Sequence, residues 1–488
     1  MNLNYNLFKN LISLTFILLS IIMIPSILVA HYYNEVNVTF SMSIIAVIYF
    51  FIGLFINIKS NRKSIKSTIR DGYLTTFFVW LALVFASALP YYFSNSGYYL
   101  SDCIFESAAG WSTTGAFVIH ADILPKGLLF WKATNNWFGG IGMIMLIISL
   151  TPYFNISGQK LIVAEAPGPT LEKMSTKFTG TARYLYFFYL ILTLLEFIML
   201  KYGGLSLYDA AINTMSGIST AGIHLNSGGI SYNLTTFNKT VVTIFTFLAA
   251  TNFGIYFFLF KGKFEDILGD LEFRVYILLT LASTIVIYVA LINSDEAKYY
   301  FEDFLHSISM AISFISTSGY SFTDYSIWPS FAKVILIICM FIGGCSISTG
   351  GGIKISRIIV FYKLILRGIY KRIHPRSVKP VSFFKKPISV NNVFTIMVYI
   401  LLYFVIFLIG SLLLSLDNLS METTLSATIG AMSNTGLSFG ELANVADYSI
   451  FSHPARILLS ILMIGGRLEF YAIALLFSKH FWNTNIIK

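Results

Sequence analysis

Charge is scarce in this sequence: Asp, Glu, Lys and Arg make up 11% of its 488 residues, against about a quarter in ordinary soluble domains. That shortage excludes a soluble globule. Cysteine is scarcer still. Cys103, Cys339 and Cys345 are odd in number and lack CxxC spacing, so they point to neither a disulfide framework nor a zinc site. The seven histidines are scattered, with no HExxH pair, and His374 reads as solvated. No Walker spacing GxxxxGK[ST] and no dinucleotide fingerprint GxGxxG occurs, so no organic cofactor is indicated. No cluster of acids, His or Cys shares a common depth, which speaks against an enzyme. What the sequence holds in excess is apolar residues, 56% of the total, with a mean hydropathy of +0.74.

A hydrocarbon layer about 30 Å thick takes roughly 20 apolar residues per helical crossing. Runs of that length lie near 11–30, 40–57, 73–93, 127–150, 182–202, 238–260, 274–293, 331–360, 392–415 and 455–482, which predicts ten crossings. The first run follows Lys9 but is too long for a typical signal-peptide core and precedes another span, so it reads as a retained helix. The net charge of +10 has a topological address. Basic segments 58–72, 158–183, 261–274 and 361–390 all fall on one side, and the positive-inside rule makes that side cytoplasmic, with both termini. Asp295, Glu296, Glu302, Asp303, Asp417, Glu422, Glu441 and Asp447 fall on the other. With its basic residues beside apolar spans and no reading surface outside them, the chain has no nucleic-acid role.

One short arrangement recurs four times between pairs of spans. An acid begins a segment of about ten residues, too short to cross, ending in Ser-(Thr/Asn)-x-Gly: DCIFESAAGWSTTG, YDAAINTMSGISTAG, EDFLHSISMAISFISTSG and ETTLSATIGAMSNTG, which close at Gly115, Gly222, Gly319 and Gly436. The tetrapeptide by itself is weak, since Ser94–Gly97 and Ser348–Gly351 match it too. Context separates the four: each follows a short amphipathic helix, lies between two full spans and is about 100 residues from the next. Non-helical backbone at membrane depth is tolerated only when buried in protein or lining a watery cavity. Four such loops on one side therefore predict one shared cavity, where backbone carbonyls could replace the hydration shell of a cation. The glycines are expected to supply a positive φ that turns carbonyls toward the axis. The rival readings are polar helix-packing segments in an unrelated permease, and a secondary transporter of another cation or an organic solute with broken helices. The first does not explain four copies on one side; the second predicts inverted repeats, whereas these run in the same orientation.

These residues, with WFGGIGM at 137–143, AEAPGP at 164–169, TNF at 251–253, LEFR at 271–274, GGCSISTGGGIKISR at 343–357, HPRSV at 374–378 and GRLEF at 466–470, make a chain that resembles the Trk/Ktr/HKT superfamily of potassium transporters over nearly its whole length. The two extra N-terminal helices resemble the Trk type rather than the shorter Ktr type. The resemblance implies an all-α polytopic fold of ten transmembrane helices and four re-entrant pore helices in pseudo-fourfold repeats. It divides the chain into 1–72 (two extra helices and a basic loop), 73–157, 158–262, 263–375 and 376–488 (pore repeats one to four, the third carrying a gate loop). The implied potassium filter comprises Thr113, Thr114 and Gly115; Thr220, Ala221 and Gly222; Thr317, Ser318 and Gly319; and Asn434, Thr435 and Gly436. Gly343, Gly344, Gly350, Gly351 and Gly352 interrupt the eighth span and are implied to form the gate, with Arg467 projecting into the pore beside them. Five glycines in ten residues hold a helix poorly in any case. The family further implies a homodimer in the bacterial inner membrane and a separate cytoplasmic RCK-type, TrkA-like subunit that binds nucleotide. The basic stretch 361–386 could dock that subunit, or could be an orientation signal that also touches anionic lipid. Whether flux is passive or symport with protons or sodium stays open.

Three further charges have two readings each. Lys132 could brace the first loop from behind or snorkel to an interface. Glu196 could bind a coupling ion or be hydrogen-bonded structure. Arg467 could pair with Glu469, though residues two apart on a helix do not face each other.

Overall fold

Hydrocarbon offers no hydrogen bonds, so apolar segments satisfy their own backbone by coiling into helices. The computed structural model describes residues 5–58, 69–94, 97–142, 178–223, 234–294, 300–377, 380–383, 386–443, 446–470 and 473–475. These are helical apart from loops and one two-residue hairpin, Ser382–Phe383 against Lys386–Pro387. Among them, six helices are long and apolar enough to cross a bilayer: Tyr5–Tyr32, Val36–Ile58, Arg70–Phe93, Arg183–Tyr202, Leu271–Ile292 and Val390–Asp417. The chain is thus a multi-pass membrane protein. AEAPGP, Asp295, Glu296, most of the basic segments 58–72 and 158–183, and the far ends of the spans expected at 127–150 and 455–482 lie outside the described residues.

The span expected at 238–260 is broken. Thr236–Ala249 and Gly254–Phe260 meet at 97°, because Thr251-Asn252-Phe253 leaves the helix and the Asn252 side chain accepts from the Gly254 amide at 2.8 Å. The stretch 331–360 is likewise two helices, Ser330–Ile342 and Ile355–Ile373, separated by the glycine-rich segment.

Four short helices stand between the long ones: Leu100–Ser112, Leu207–Ile218, Tyr300–Ile315 and Met421–Met432. At 1.5 Å per residue they reach about 18–24 Å, less than a bilayer. The second and fourth begin on capping serines, Ser206 accepting from Asp209 N and Ser420 from Thr423 N, which satisfies amides the helix leaves open.

The N-terminal helix pair packs through a small-residue notch. Ser13 Oγ donates to Gly53 O at 2.8 Å, and a Cβ at Gly53 would stand 2.9 Å from Ser13 O. Glu35, in the turn between the pair, accepts from the amides of Lys126 and Gly127 at 2.6 and 2.9 Å. A carboxylate thus sits on the N-terminus of Lys126–Ile141 and fixes the extra pair to the first repeat.

The C-terminal part of the chain packs onto the segment around the first short helix. Phe117 N donates to Ala446 O at 3.1 Å and Tyr448 N to Phe117 O at 2.7 Å. Beside them Arg456 Nη1 meets Asp102 Oδ1 at 2.5 Å, joining residues 354 apart in sequence. A double-mutant cycle of Asp102→Asn and Arg456→Met, read as thermal midpoints in detergent, is expected to show a coupling of about 0.5–3 kcal/mol; additive effects would mean the pair does not hold the two segments together.

Candidate functional site

Each short helix ends in the same backbone turn. Thr113, Thr220, Thr317 and Asn434 have φ of 59°, 54°, 56° and 59°. The amide of each reaches back three residues, to Gly110, Gly217, Phe314 and Ala431. The next amide reaches back five: Thr114 N to Ala109 O at 2.8 Å, and Ala221 to Ser216, Ser318 to Ser313 and Thr435 to Gly430, each at 2.9 Å. This is a Schellman closure made four times. The position normally filled by glycine holds a β-branched threonine in three of them, at a cost of about 1–3 kcal/mol each. A second left-handed residue thus lies two positions ahead of each loop's glycine; the positive φ expected of the glycines is found at Gly222, Gly319 and Gly436 and not at Gly115.

All four glycines also serve close approach. A Cβ on Gly115 would stand 2.9 Å from Ala221 O; one on Gly222, 2.6 Å from Gly319 C; one on Gly319 would overlap Thr435 O; and one on Gly436 would stand 2.5 Å from Ala116 N. Each loop's glycine thus faces the next loop in order, and the fourth faces the first. The extended chain after each loop is braced by its own helix. Ser216 Oγ accepts from Ile223 N at 2.6 Å and Ser313 Oγ donates to Tyr320 O at 2.6 Å, from equivalent positions. Ala109 and Gly430 occupy those positions in the other two copies and cannot brace, so Glu106 and Ser426 do so from elsewhere on their helices.

The glycine-rich segment is a hairpin packed against these ends. Its neck is Gly343 and Gly352, with φ of 72° and 76°; a Cβ on either would stand 2.8 or 2.7 Å from the other's Cα. Across the neck, Ile353 N donates to Phe341 O at 3.1 Å and Lys354 N to Ile342 O at 2.9 Å. At the tip, Gly351 N donates to Thr317 Oγ1 at 2.6 Å, and a Cβ on Gly350 would stand 2.9 Å from Ser316 O. Gly344 lies against Ala250, where a Cβ would stand 3.2 Å from the carbonyl oxygen.

The broken span explains how the hairpin is held. The carbonyls of Ala249 and Ala250, freed at the break, accept from Thr349 and Cys345, and Phe253 N donates to Ile347 O at 3.1 Å. Glu272 accepts from Ser346 N at 2.6 Å and from Asn252 Nδ2 at 3.3 Å. On the other side, Arg467 donates to Thr349 O at 2.8 Å, Gly139 O at 2.6 Å and Gly140 O. Arg467 thus ties the hairpin to the end of Lys126–Ile141, and Glu469 pairs with Arg357. Lys354 Nζ donates to Gly350 O. Arg467, Lys354, Asn434 and the glycines line a cavity of about 110 Å³.

Asn252, Glu272 and Lys354 sit in sequence motifs that gave no hint of their roles. Lys132 is buried and resolved in favour of bracing: its Nζ meets Glu106 Oε2 at 2.5 Å, and Glu106 Oε1 accepts from the amides of Val118 and Ile119 at 2.7 and 2.8 Å. Among the described residues no group of three or more His, Cys, Asp or Glu could hold a resident metal ion. Chemically the arrangement brings four loops rich in backbone and hydroxyl oxygens into close approach, with the cationic Arg467 at a hairpin beside them.

Replacing Lys132 by Met leaves the Glu106 carboxylate buried without its cation and is expected to cost about 3–5 kcal/mol. The measurement is the thermal midpoint in detergent, with the Lys132→Met/Glu106→Gln double variant expected to recover part of the loss.

Comparison with known proteins bears on this geometry. The TrkH family, described as cation transport protein, matches residues 39–486. The chain is 30% identical over 471 residues to the Trk system potassium uptake protein TrkG of Escherichia coli strain K12, covering 96% of each. It is 29% identical over 433 residues to TrkH of the same strain, covering 86% of this chain and 88% of that one. The crystal structure of the potassium transporter TrkH from Vibrio parahaemolyticus superposes with a TM-score of 0.86 at 26% identity, covering 98% of this chain and all of that one. With its all-helical fold, its four converging loops and these matches, the chain belongs to the TrkH family of cation transport proteins.

Proposed function

We propose that this chain takes up potassium across the bacterial inner membrane through a single central pore, as an ion conduit and not an enzyme. The observation that carries the reading is the closed circle of glycines, Gly115 to Gly222 to Gly319 to Gly436 and back, each too close to the next loop for a Cβ. Backbone this tightly converged presents its oxygens to one axis, which suits a dehydrated monovalent cation. The ligands come from Thr113–Gly115, Thr220–Gly222, Thr317–Gly319 and Asn434–Gly436, one set from each of the repeats 73–157, 158–262, 263–375 and 376–488.

Gly343, Gly344, Gly350, Gly351 and Gly352 form the gate, and Arg467 raises the barrier to cations. Opening then means moving the hairpin off Thr317 and releasing the arginine from the carbonyls of Gly139, Gly140 and Thr349. Both termini are cytoplasmic, the assembly is a homodimer, and a TrkA-like RCK subunit binds nucleotide and acts on the gate through the basic surface of 361–386.

The test is rubidium uptake into potassium-loaded proteoliposomes of the purified protein, competed by external potassium or sodium. Potassium is expected to block uptake and sodium to leave it nearly unchanged; equal competition overturns the selectivity assignment. Gly436→Ala forces backbone apart at the ring and is expected to lower uptake roughly tenfold, from an overpacking cost of about 1–3 kcal/mol. Arg467→Ala is expected to raise uptake measured without the regulatory partner, and an unchanged rate would remove Arg467 from the gate.

A further inference from the structure

Behind the second loop stands a carboxyl group without a partner. Glu196, in the helix Phe178–Tyr202, is fully buried, and neither carboxyl oxygen has a hydrogen-bond partner. Three other buried or half-buried glutamates are engaged: Glu106 by Lys132 and two amides, Glu272 by Ser346 and Asn252, Glu469 by Arg357. Glu196 instead presses into a glycine notch. A Cβ placed on Gly217 of the second short helix would overlap Glu196 Oε1 and stand 3.1 Å from Oε2. Gly217 is also the residue whose carbonyl accepts from Thr220 N at 3.0 Å, closing the turn that starts the second loop.

Among the described residues, no cation is bonded to the carboxyl from the elements around it. In the second short helix the titratable groups are Tyr208 and Asp209, in the first turn, bound to Lys126 O and to Ser206. Lys239, of Thr236–Ala249, faces Glu302, and Lys132, of Lys126–Ile141, faces Glu106. Within electrostatic reach of Glu196 are two phenols, Tyr189 on its own helix and Tyr320 on the third loop. These donate elsewhere, to Trp137 O at 2.8 Å and Asn213 O at 3.2 Å. Arg467, which also reaches Tyr189, donates to the carbonyls of Thr349, Gly139 and Gly140. A carboxylate in this place would be a desolvated charge with nothing opposite it.

We propose that Glu196 is a proton-binding site and a positioning residue for the second loop. Protonated, the neutral carboxyl wedges against Gly217 and holds the last turn of the helix, and so Thr220, in place. Releasing the proton to bulk water leaves a carboxylate that must draw in water or a cation, which moves the turn off its packing and lowers conduction. The role in conduction rests on the reading of the four loops as the ion path; the protonation does not.

Two measurements separate them. In the infrared, the wild-type protein at neutral pH is expected to show the carbonyl band of a protonated carboxylic acid, bleaching as pH rises and missing in Glu196→Gln. Absence of that band from the wild type at neutral pH overturns the proposal without any variant, as does a neutral-pH band unchanged in Glu196→Gln. In proteoliposomes, wild-type rubidium uptake is expected to fall severalfold as pH is raised, while Glu196→Gln, a fixed mimic of the protonated form, holds its uptake. An unchanged pH profile in Glu196→Gln overturns the coupling to the loop. Absence of wild-type rubidium uptake under all conditions counts against the pore reading and leaves the infrared result to decide the proton site.

Discussion

Backbone that leaves the helix inside this protein must be satisfied from within it, and that constraint organises the molecule. Where the four short helices stop, a Schellman turn ties the first loop amides to the helix's own carbonyls, and side chains of Glu106, Ser216, Ser313 and Ser426 tie down the strand that follows. Where the long span after the second loop breaks, its freed carbonyls at Ala249 and Ala250 become acceptors for the glycine hairpin. The break and the hairpin are two halves of one solution: each supplies the partners that the other lacks.

The same accounting governs charge. A buried ion costs several kcal/mol unless it is paired and hydrogen-bonded. Glu106 with Lys132 and Arg357 with Glu469 meet that condition, and Glu272 meets it through an amide and an asparagine. Arg467 meets it with backbone carbonyls of two separate segments, so its hold on the hairpin is also the means of its own solvation. Any motion that carries the hairpin away must find the guanidinium new acceptors, which couples the position of one to the other.

Much of this was legible in the chain. Span length and hydropathy gave the membrane class, and the fourfold spacing of short segments ending at Gly115, Gly222, Gly319 and Gly436 located the loops. Five glycines between 343 and 352 located the hairpin. The positive φ expected of the filter glycines is present at Gly222, Gly319 and Gly436 and missing only at Gly115; Thr113, Thr220, Thr317 and Asn434 are left-handed as well, and all four glycines are also needed because neighbouring backbones touch. A motif shows that a side chain is missing; it does not show what occupies the space.

The sequence by itself determined which segments are apolar enough for helices, which are too short to cross, and that the backbone turns at the four loops and the glycine hairpin, because those properties follow from local composition and a 3.6-residue period; it missed the break at 250–253. Tertiary structure alone decided the pairings. Lys132 finds Glu106 across 26 residues, Ser346 finds Glu272 across 74, and Arg456 finds Asp102 across 354. No periodicity encodes such distances. They exist because segments far apart in sequence pack together, and the same packing leaves Glu196 sealed against Gly217 with no hydrogen-bond partner among the described residues.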